Sequence, residues 1–361
     1  MSENLRIFVI DMRCFAVNYC YMNIKRRNFL GSAALLAGGL VSPKAFAAGD
    51  NSESVKFSVF ADMHFRVGNY NWTVERMAQI LERARKNRVD FIIHCGDFCH
   101  DVRTAGPVLD QFNNFELPHY HTMGNHDFEG TKTLEEVVSA YQMKDGNFYS
   151  FDRGVFRFIV LDTNYFRRPD GSLMHYASST AYEKCHQKEA ILPPDQIAFL
   201  REKISTAKGP CAIFSHHGFK HTSGITNAAE AKDAVFDSQK YPVIWINGHH
   251  HRNSLKLEKQ VAFFNLNSTT SEWVGKPHHA YPEEIMKKCN VSKHELLFDT
   301  PVHAIITMSK DGEIDIDGMK GGMFMGITPE MTGNKLYDDE GLPVEAYVLS
   351  SHFKLYPPKR A

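Results

Sequence analysis

No stretch of this 361-residue chain holds the ~18–20 consecutive apolar residues that a helix needs to cross a bilayer, so no stable membrane span is expected. An excess of one charge is missing too. The 41 basic and 42 acidic residues leave a formal net charge of -1, which gives no whole-chain pull toward nucleic acid. Cysteine is scarce, and fixed-period repeats and low-complexity tracts are absent, so repeat architectures are excluded. What is present, 43% apolar and 23% charged residues, suits a globular enzyme.

The first 47 residues read as an export segment rather than as fold. Lys25-Arg26-Arg27-Asn28-Phe29-Leu30 precedes a mild apolar stretch from Gly31 to Leu40. Ala45-Phe46-Ala47 then supplies a small-x-small cleavage pattern. Arg26-Arg27 followed by Phe29-Leu30 resembles a twin-arginine signal, although Lys25 and Gly31 stand where a hydroxyl residue and a lysine are usual. The resemblance implies the twin-arginine export machinery as a transient partner and a periplasmic destination in a bacterium. Residues 1–21 do not fit such a signal, and Met22 is the expected true start. Cleavage after Ala47 would remove six of the basic and two of the acidic residues, leaving a formal charge of -5. It would also leave five cysteines (Cys95, Cys99, Cys185, Cys211 and Cys289), an odd number that excludes a fully paired disulfide framework. Cys95 and Cys211 lie within apolar runs and read as buried thiols.

Residues 48–361 read as a single α/β domain. Val55 to Ala61 and Phe91 to Cys95 are buried-strand patterns on either side of a helical pattern, Thr73 to Arg88. Met77, Ile80, Leu81 and Ala84 share one face of that helix. This β-α-β unit implies a parallel sheet. Further strands are expected at Tyr120 to Met123, Phe156 to Leu161, Cys211 to Phe214 and Val243 to Ile246. Helices are expected after the capping box Thr133-Leu134-Glu135-Glu136, over Asp195 to Ala207, and over about Ala228 to Ser238. Val261 to Leu266, Val302 to Met308 and Glu313 to Ile316 read as a terminal antiparallel set. Lys310-Asp311-Gly312 is the hairpin between the last two. Asn164 to Leu192 and Ser271 to Thr300 are long and poorly periodic, and are expected to act as substrate-selecting loops.

Five polar clusters follow apolar runs in order: Asp62-Met63-His64, Gly96-Asp97, Gly124-Asn125-His126-Asp127, His216-His217 and Gly248-His249-His250-His251. Strand ends gather distant side chains into one crevice. Glycine before Asn125 permits a tight turn, and alternation sends His249 and His251 to one side. A core has no structural need for so many polar groups, each of which costs energy unless paired. Mixed imidazole, carboxylate and amide donors suit Mn, Fe, Co or Zn better than Mg or Ca. Cys99 flanks the second cluster, but hard donors surround it, so it reads as a thiol outside the ligand set. His94, His119 and His303 read as structural.

These ordered motifs, from about Phe57 to Arg252, resemble the calcineurin-like metallophosphoesterase superfamily. The resemblance implies an αββα sandwich with mixed sheets and helices on both outer faces. It implies two divalent metal ions, one held by Asp62, His64, Asp97 and His251. The other would be held by Asp97, Asn125, His216 and His249, with Asp97 shared. It makes His126 the catalytic histidine, beside the leaving group, and a hydroxide shared by the metals the nucleophile. Relatives commonly carry an acid three residues after the shared aspartate, which orients the catalytic histidine. His100 stands there, followed by Asp101, so the orienter is open among His100, Asp101 and Asp127, with Asp101 and Asp127 the substitutes to test. A tyrosinate-iron site of the purple acid phosphatase kind is not expected, because His100 and His64 depart from that pattern. The Asp-x-His opening looks more like the bacterial cyclic-nucleotide phosphodiesterase branch.

The expected activity is hydrolysis of a small phosphodiester or nucleotide-type substrate, with no nucleic-acid partner. The same site permits a phosphomonoesterase. A non-catalytic metal-binding sandwich is the competing class, and the full motif set speaks against it. His217 and His250 stand beside ligands and read as either outer-shell groups or filler. Arg167 and Arg168 read as a solvated basic turn.

Overall fold

The computed structural model describes residues 52–66, 72–130, 133–177, 190–219, 223–273, 281–327 and 344–358. The expected export segment, Cys185 and parts of both long loops lie outside these residues. No helix among them is long and apolar enough to cross a membrane.

The chain opens with β1 (Ser54–Phe60), α1 (Trp72–Asn87), β2 (Phe91–Cys95), α2 (Gly106–Asn113) and β3 (His119–Thr122). β1, β2 and β3 pair in parallel, as the β-α-β pattern requires. Thr133 caps α3 (Leu134–Ala140), its Oγ1 accepting the Glu136 N–H at 3.2 Å, so the capping box forms as read. The second half is built from β4 (Tyr149–Arg153), β5 (Phe156–Val160), the short β6 (Tyr165–Arg167) and β7 (Leu173–His175), α4 (Pro194–Ser205), β8 (Cys211–Ser215), α5 (Ala228–Phe236), β9 (Val243–Asn247), β10 (Ser254–Glu258) and β11 (Val261–Asn265). It closes with β12 (Ser271–Trp273), α6 (Glu283–Cys289), β13 (Glu295–Leu297), β14 (Ala304–Ser309), β15 (Glu313–Gly318) and β16 (Ser351–Lys354).

Two six-stranded mixed sheets result, in the orders β16-β15-β14-β1-β2-β3 and β10-β11-β9-β8-β5-β4. They pack face to face through phenylalanines. Phe158 of one sheet lies 5.7 Å from Phe57 and 4.8 Å from Phe91 of the other, ring centre to ring centre and edge to face. α1 and α2 cover the outer face of the first sheet with Met77, Ile80, Leu81, Val108 and Phe112. α4 and α5 cover the second with Ile197, Leu200, Ala231 and Val235 over Trp245. This is the expected αββα sandwich.

Two expectations change and one holds. β11 leaves the terminal antiparallel set and pairs in parallel with β9, because its fully buried apolar run belongs between two strands of the second sheet. β14 and β15 do form the antiparallel pair, with Gly312 at φ +90° in the turn. Neither long loop is structureless. The first holds the β6–β7 hairpin, and the second holds the β12–β13 pair and α6.

Phe158 also packs on Phe151 and Phe214 of its own sheet, so it ties that sheet to Phe57 and Phe91 of the other. Phe158→Ala should lower unfolding free energy by about 3–5 kcal/mol, read from the denaturant midpoint.

Candidate metal centre

Five strands end at one edge of the sandwich. β1, β2 and β3 deliver Asp62, Asp97 and Asn125, while β8 and β9 deliver His216 and His249. β8 and β9 run in parallel, as β1–β3 do. The loops after β1 and β2 lie side by side, with Asp62 N donating to Gly96 O and His64 N to Asp97 O, at 3.0 and 2.9 Å. Asp62, His64, Asp97, His249 and His251 all hold left-handed backbone, with φ between 49° and 72°. Such turns at non-glycine residues cost energy and concentrate where function over-determines the chain. Here they swing each side chain off its strand and into the crevice.

Two glycines make room for this convergence. A Cβ on Gly124 would lie 2.2 Å from Asp97 Oδ1, and one on Gly96 would lie 2.3 Å from the His216 ring. Gly124 is thus needed for clearance rather than for a special turn. The three residues after it also part company. Asn125 Oδ1 reaches His216 Nε2 at 3.0 Å and His126 turns to Glu129. Asp127 points beneath the loop, accepting from Gly124 N, Cys99 N and Tyr141 Oη.

All eight residues expected at the site come together. Asp97 Oδ2 lies 3.1 Å from His216 Nε2 and 3.9 Å from His64 Nε2. On the His64 side, His64 Nε2 and His251 Nε2 are 2.9 Å apart, and Asp62 Oδ1 is 3.6 Å from His251 Nε2. On the His216 side, His249 Nδ1 lies 3.2 Å from His216 Nε2. Imidazole nitrogens that face one another at such distances, beside carboxylates, share a point that suits a cation. Asp62, His64 and His251 form one compact donor group, and Asp62, Asp97 and His216 form another. His249 falls in a further group, with His216 and His217, so His249 and His251 serve different groups.

The electrostatics agree. Burial pushes His64 and His249 down, and neighbouring imidazoles add to it, so both favour the neutral form that a metal-binding imidazole needs. Burial also opposes charge on His216, but the Asp97 and Asp62 carboxylates override it and raise its pKa to about 9. That field attracts a cation at the Asp97–His216 contact. Two backbone carbonyls set ligand tautomers: His216 Nδ1 faces Cys95 O at 3.0 Å and His251 Nδ1 faces Ser271 O at 2.8 Å. Both Nε2 lone pairs then point inward. The donor set thus fits two divalent ions around Asp97.

The orienter of His126 is neither expected substitute. Asp101 is turned to Arg103, and Asp127 is occupied by the bonds above. Glu129 takes the place, its Oε1 2.7 Å from His126 Nδ1. Burial opposes its charge, yet hydrogen bonds from His100 and His126 hold its carboxyl below the usual range. The register explains the substitution: His126 begins a short 3₁₀ turn, so Glu129 lies one turn on, on the same side.

Other neighbours divide cleanly. His217 is buried against His249, with ring centres 4.3 Å apart and Nδ1 2.9 Å from Thr163 Oγ1, so it is no filler. His250 turns away to Ser223. Arg167 and Arg168 bond within their own hairpin turn or to Met174. Cys99 sits under Tyr141, its thiol kept protonated first by burial. His94 and His303 are buried, with His303 Nδ1 donating to Pro301 O. Trp273, unmarked by any motif, stands beside His64, His126 and His251 at 5.9–6.4 Å between ring centres.

Fold and donor set together define a metal-dependent phosphoric ester hydrolase. The chain belongs to the calcineurin-like phosphoesterase family, whose model matches residues 55–253. A dimetal phosphatase from Danio rerio has a similar fold, with TM-score 0.53 and 14% identity over 76% of this chain and 98% of that one. A purple acid phosphatase from yellow lupin aligns at TM-score 0.44 and 11% identity, over 77% of this chain and 53% of that one. An archaeal phosphodiesterase aligns at TM-score 0.35 and 13% identity, over 73% of this chain and all of that one. Among curated proteins, none matched.

Gly124→Ala should displace Asp97 and strip metal from a folded protein. Elemental analysis should find less than one ion per chain, with the circular dichroism spectrum unchanged.

Proposed function

We propose that this enzyme hydrolyses a small, nucleotide-type phosphodiester at a dinuclear centre. Asp62, His64, Asp97 and His251 would hold one ion, and Asp97, Asn125, His216 and His249 the other. The observation that carries this reading is the position of Asp97 Oδ2 between the His64 and His216 nitrogens. Divalent ions so held, whether Mn, Fe, Zn or Co, would supply an activated water and neutralise charge on the phosphoryl oxygens.

The protein supplies the rest. Asp97 Oδ1 accepts the His126 N–H at 2.8 Å, which ties the catalytic loop to the ligand set. With Nδ1 directed to Glu129, the His126 ring presents Nε2 as the group that protonates the departing alkoxide. Burial works against protonation of His126, but Asp97 and Glu129 outweigh it and raise its pKa, so the acid form is available near neutral pH.

The rim favours a diester. Arg66 beside the site is ion-paired with Glu295, so it adds no net charge to match the second negative charge of a monoester. Trp273, half-buried among the site histidines, offers an aromatic face to a ring-bearing leaving group. The Asp-x-His opening points to the same cyclic-nucleotide-like substrate class.

His126→Ala should keep two metal ions per chain and lose about 10²–10⁴ in kcat. In a metal-replete screen the wild type should prefer bis-p-nitrophenyl phosphate to p-nitrophenyl phosphate; the reverse order would favour a phosphomonoesterase. We also propose twin-arginine export to the periplasm, on the strength of Arg26-Arg27 alone. Replacing both with lysine should leave the protein in the cytoplasm on fractionation, and normal export would rule the route out.

A further inference from the structure

The ligand histidines are not anchored alike. His216 and His251 each donate Nδ1–H to a backbone carbonyl, whereas His64 Nδ1 meets a side chain, His100 Nε2, at 3.1 Å. His100 Nδ1 in turn bonds to Glu129 Oε2, and the other Glu129 oxygen takes His126 Nδ1 at 2.7 Å. Arg66 Nε donates to the same His100 Nε2 at 3.1 Å.

One tautomer set suits the contacts around His100, with His64 and Arg66 sharing its single Nε2 lone pair. Neutral His100 carries its proton on Nδ1, donates it to Glu129, and accepts at Nε2 from Arg66. His64 then donates from Nδ1 and leaves Nε2 free to face Asp97 and His251. His126 donates from Nδ1 to Glu129, so the proton it delivers as an acid sits on Nε2. His64, His100 and His126 also lie close enough to invite a third ion. The Arg66 N–H directed at His100 Nε2 opposes a cation there.

We infer that Glu129 is a shared positioning residue. Through His126 it aims the acid, and through His100 it fixes the tautomer and orientation of His64, and with them affinity for one of the two ions. The proposal rests on the dinuclear reading above. It explains why histidine can stand at position 100: the missing acid is supplied by Glu129, and the imidazole extends its reach to the metal ligand. The other ion is insulated from Glu129, since His216 is anchored on Cys95 O.

Two variants separate the two arms. Titration of metal-free protein with Mn²⁺, followed by calorimetry, should resolve two affinities in the wild type. Glu129→Gln should weaken one of them by about 10–100-fold, the range for loss of a ligand's outer partner, and leave the other unchanged. At saturating Mn²⁺ it should also slow a diester with an alkyl leaving group about tenfold more than one with p-nitrophenolate, which needs no proton. His100→Ala should weaken the same single ion but keep the wild-type ratio between the two leaving groups. The inference is overturned if either variant leaves both affinities intact, if both affinities fall together, or if His100→Ala alters the leaving-group ratio as Glu129→Gln does. A wild type that binds fewer than two ions overturns the dinuclear reading itself, and this inference with it.

Discussion

The site depends on one carboxylate placed where two sheets meet. Asp97 is fully enclosed. One oxygen accepts the His126 N–H, and the other faces imidazoles contributed from both halves of the sandwich. A buried carboxylate of this kind is costly unless compensated. Its compensation comes from strands that are separate in sequence and adjacent only after the sheets pack. Packing of the phenylalanine core and assembly of the site are therefore one event. The core brings β2 opposite β8, and Gly96 and Gly124, past the ends of β2 and β3, let Asp97 and His216 meet.

The same enclosure sets the chemistry. Several imidazoles crowd together with little water, which keeps most of them neutral, while Asp97 and Asp62 draw positive charge to one point. Left-handed turns at five site residues hold this arrangement against its own strain. A preorganised field costs no rearrangement when charge grows on a phosphoryl oxygen.

Much of this was legible in the sequence. The strand-end clusters and the β-α-β rhythm located the crevice, and the expected site residues converge there. What escaped had physical reasons. Glu129 follows its cluster by one 3₁₀ turn, a spacing visible only once His126 is known to begin that turn. Trp273 and Thr163 reach the site through tertiary packing and carry no local signal. β11 was placed in the wrong sheet because a short buried apolar run does not reveal whether its partners are parallel or antiparallel. Short, half-exposed strands such as β4, β10 and β16 lack the periodicity that marks a buried one.

The most direct test is anomalous diffraction from crystals soaked in Mn²⁺. Two peaks about 3.5–4 Å apart, one on either side of Asp97 Oδ2, are predicted. A single peak, or a pair that Asp97 does not join, would contradict the account.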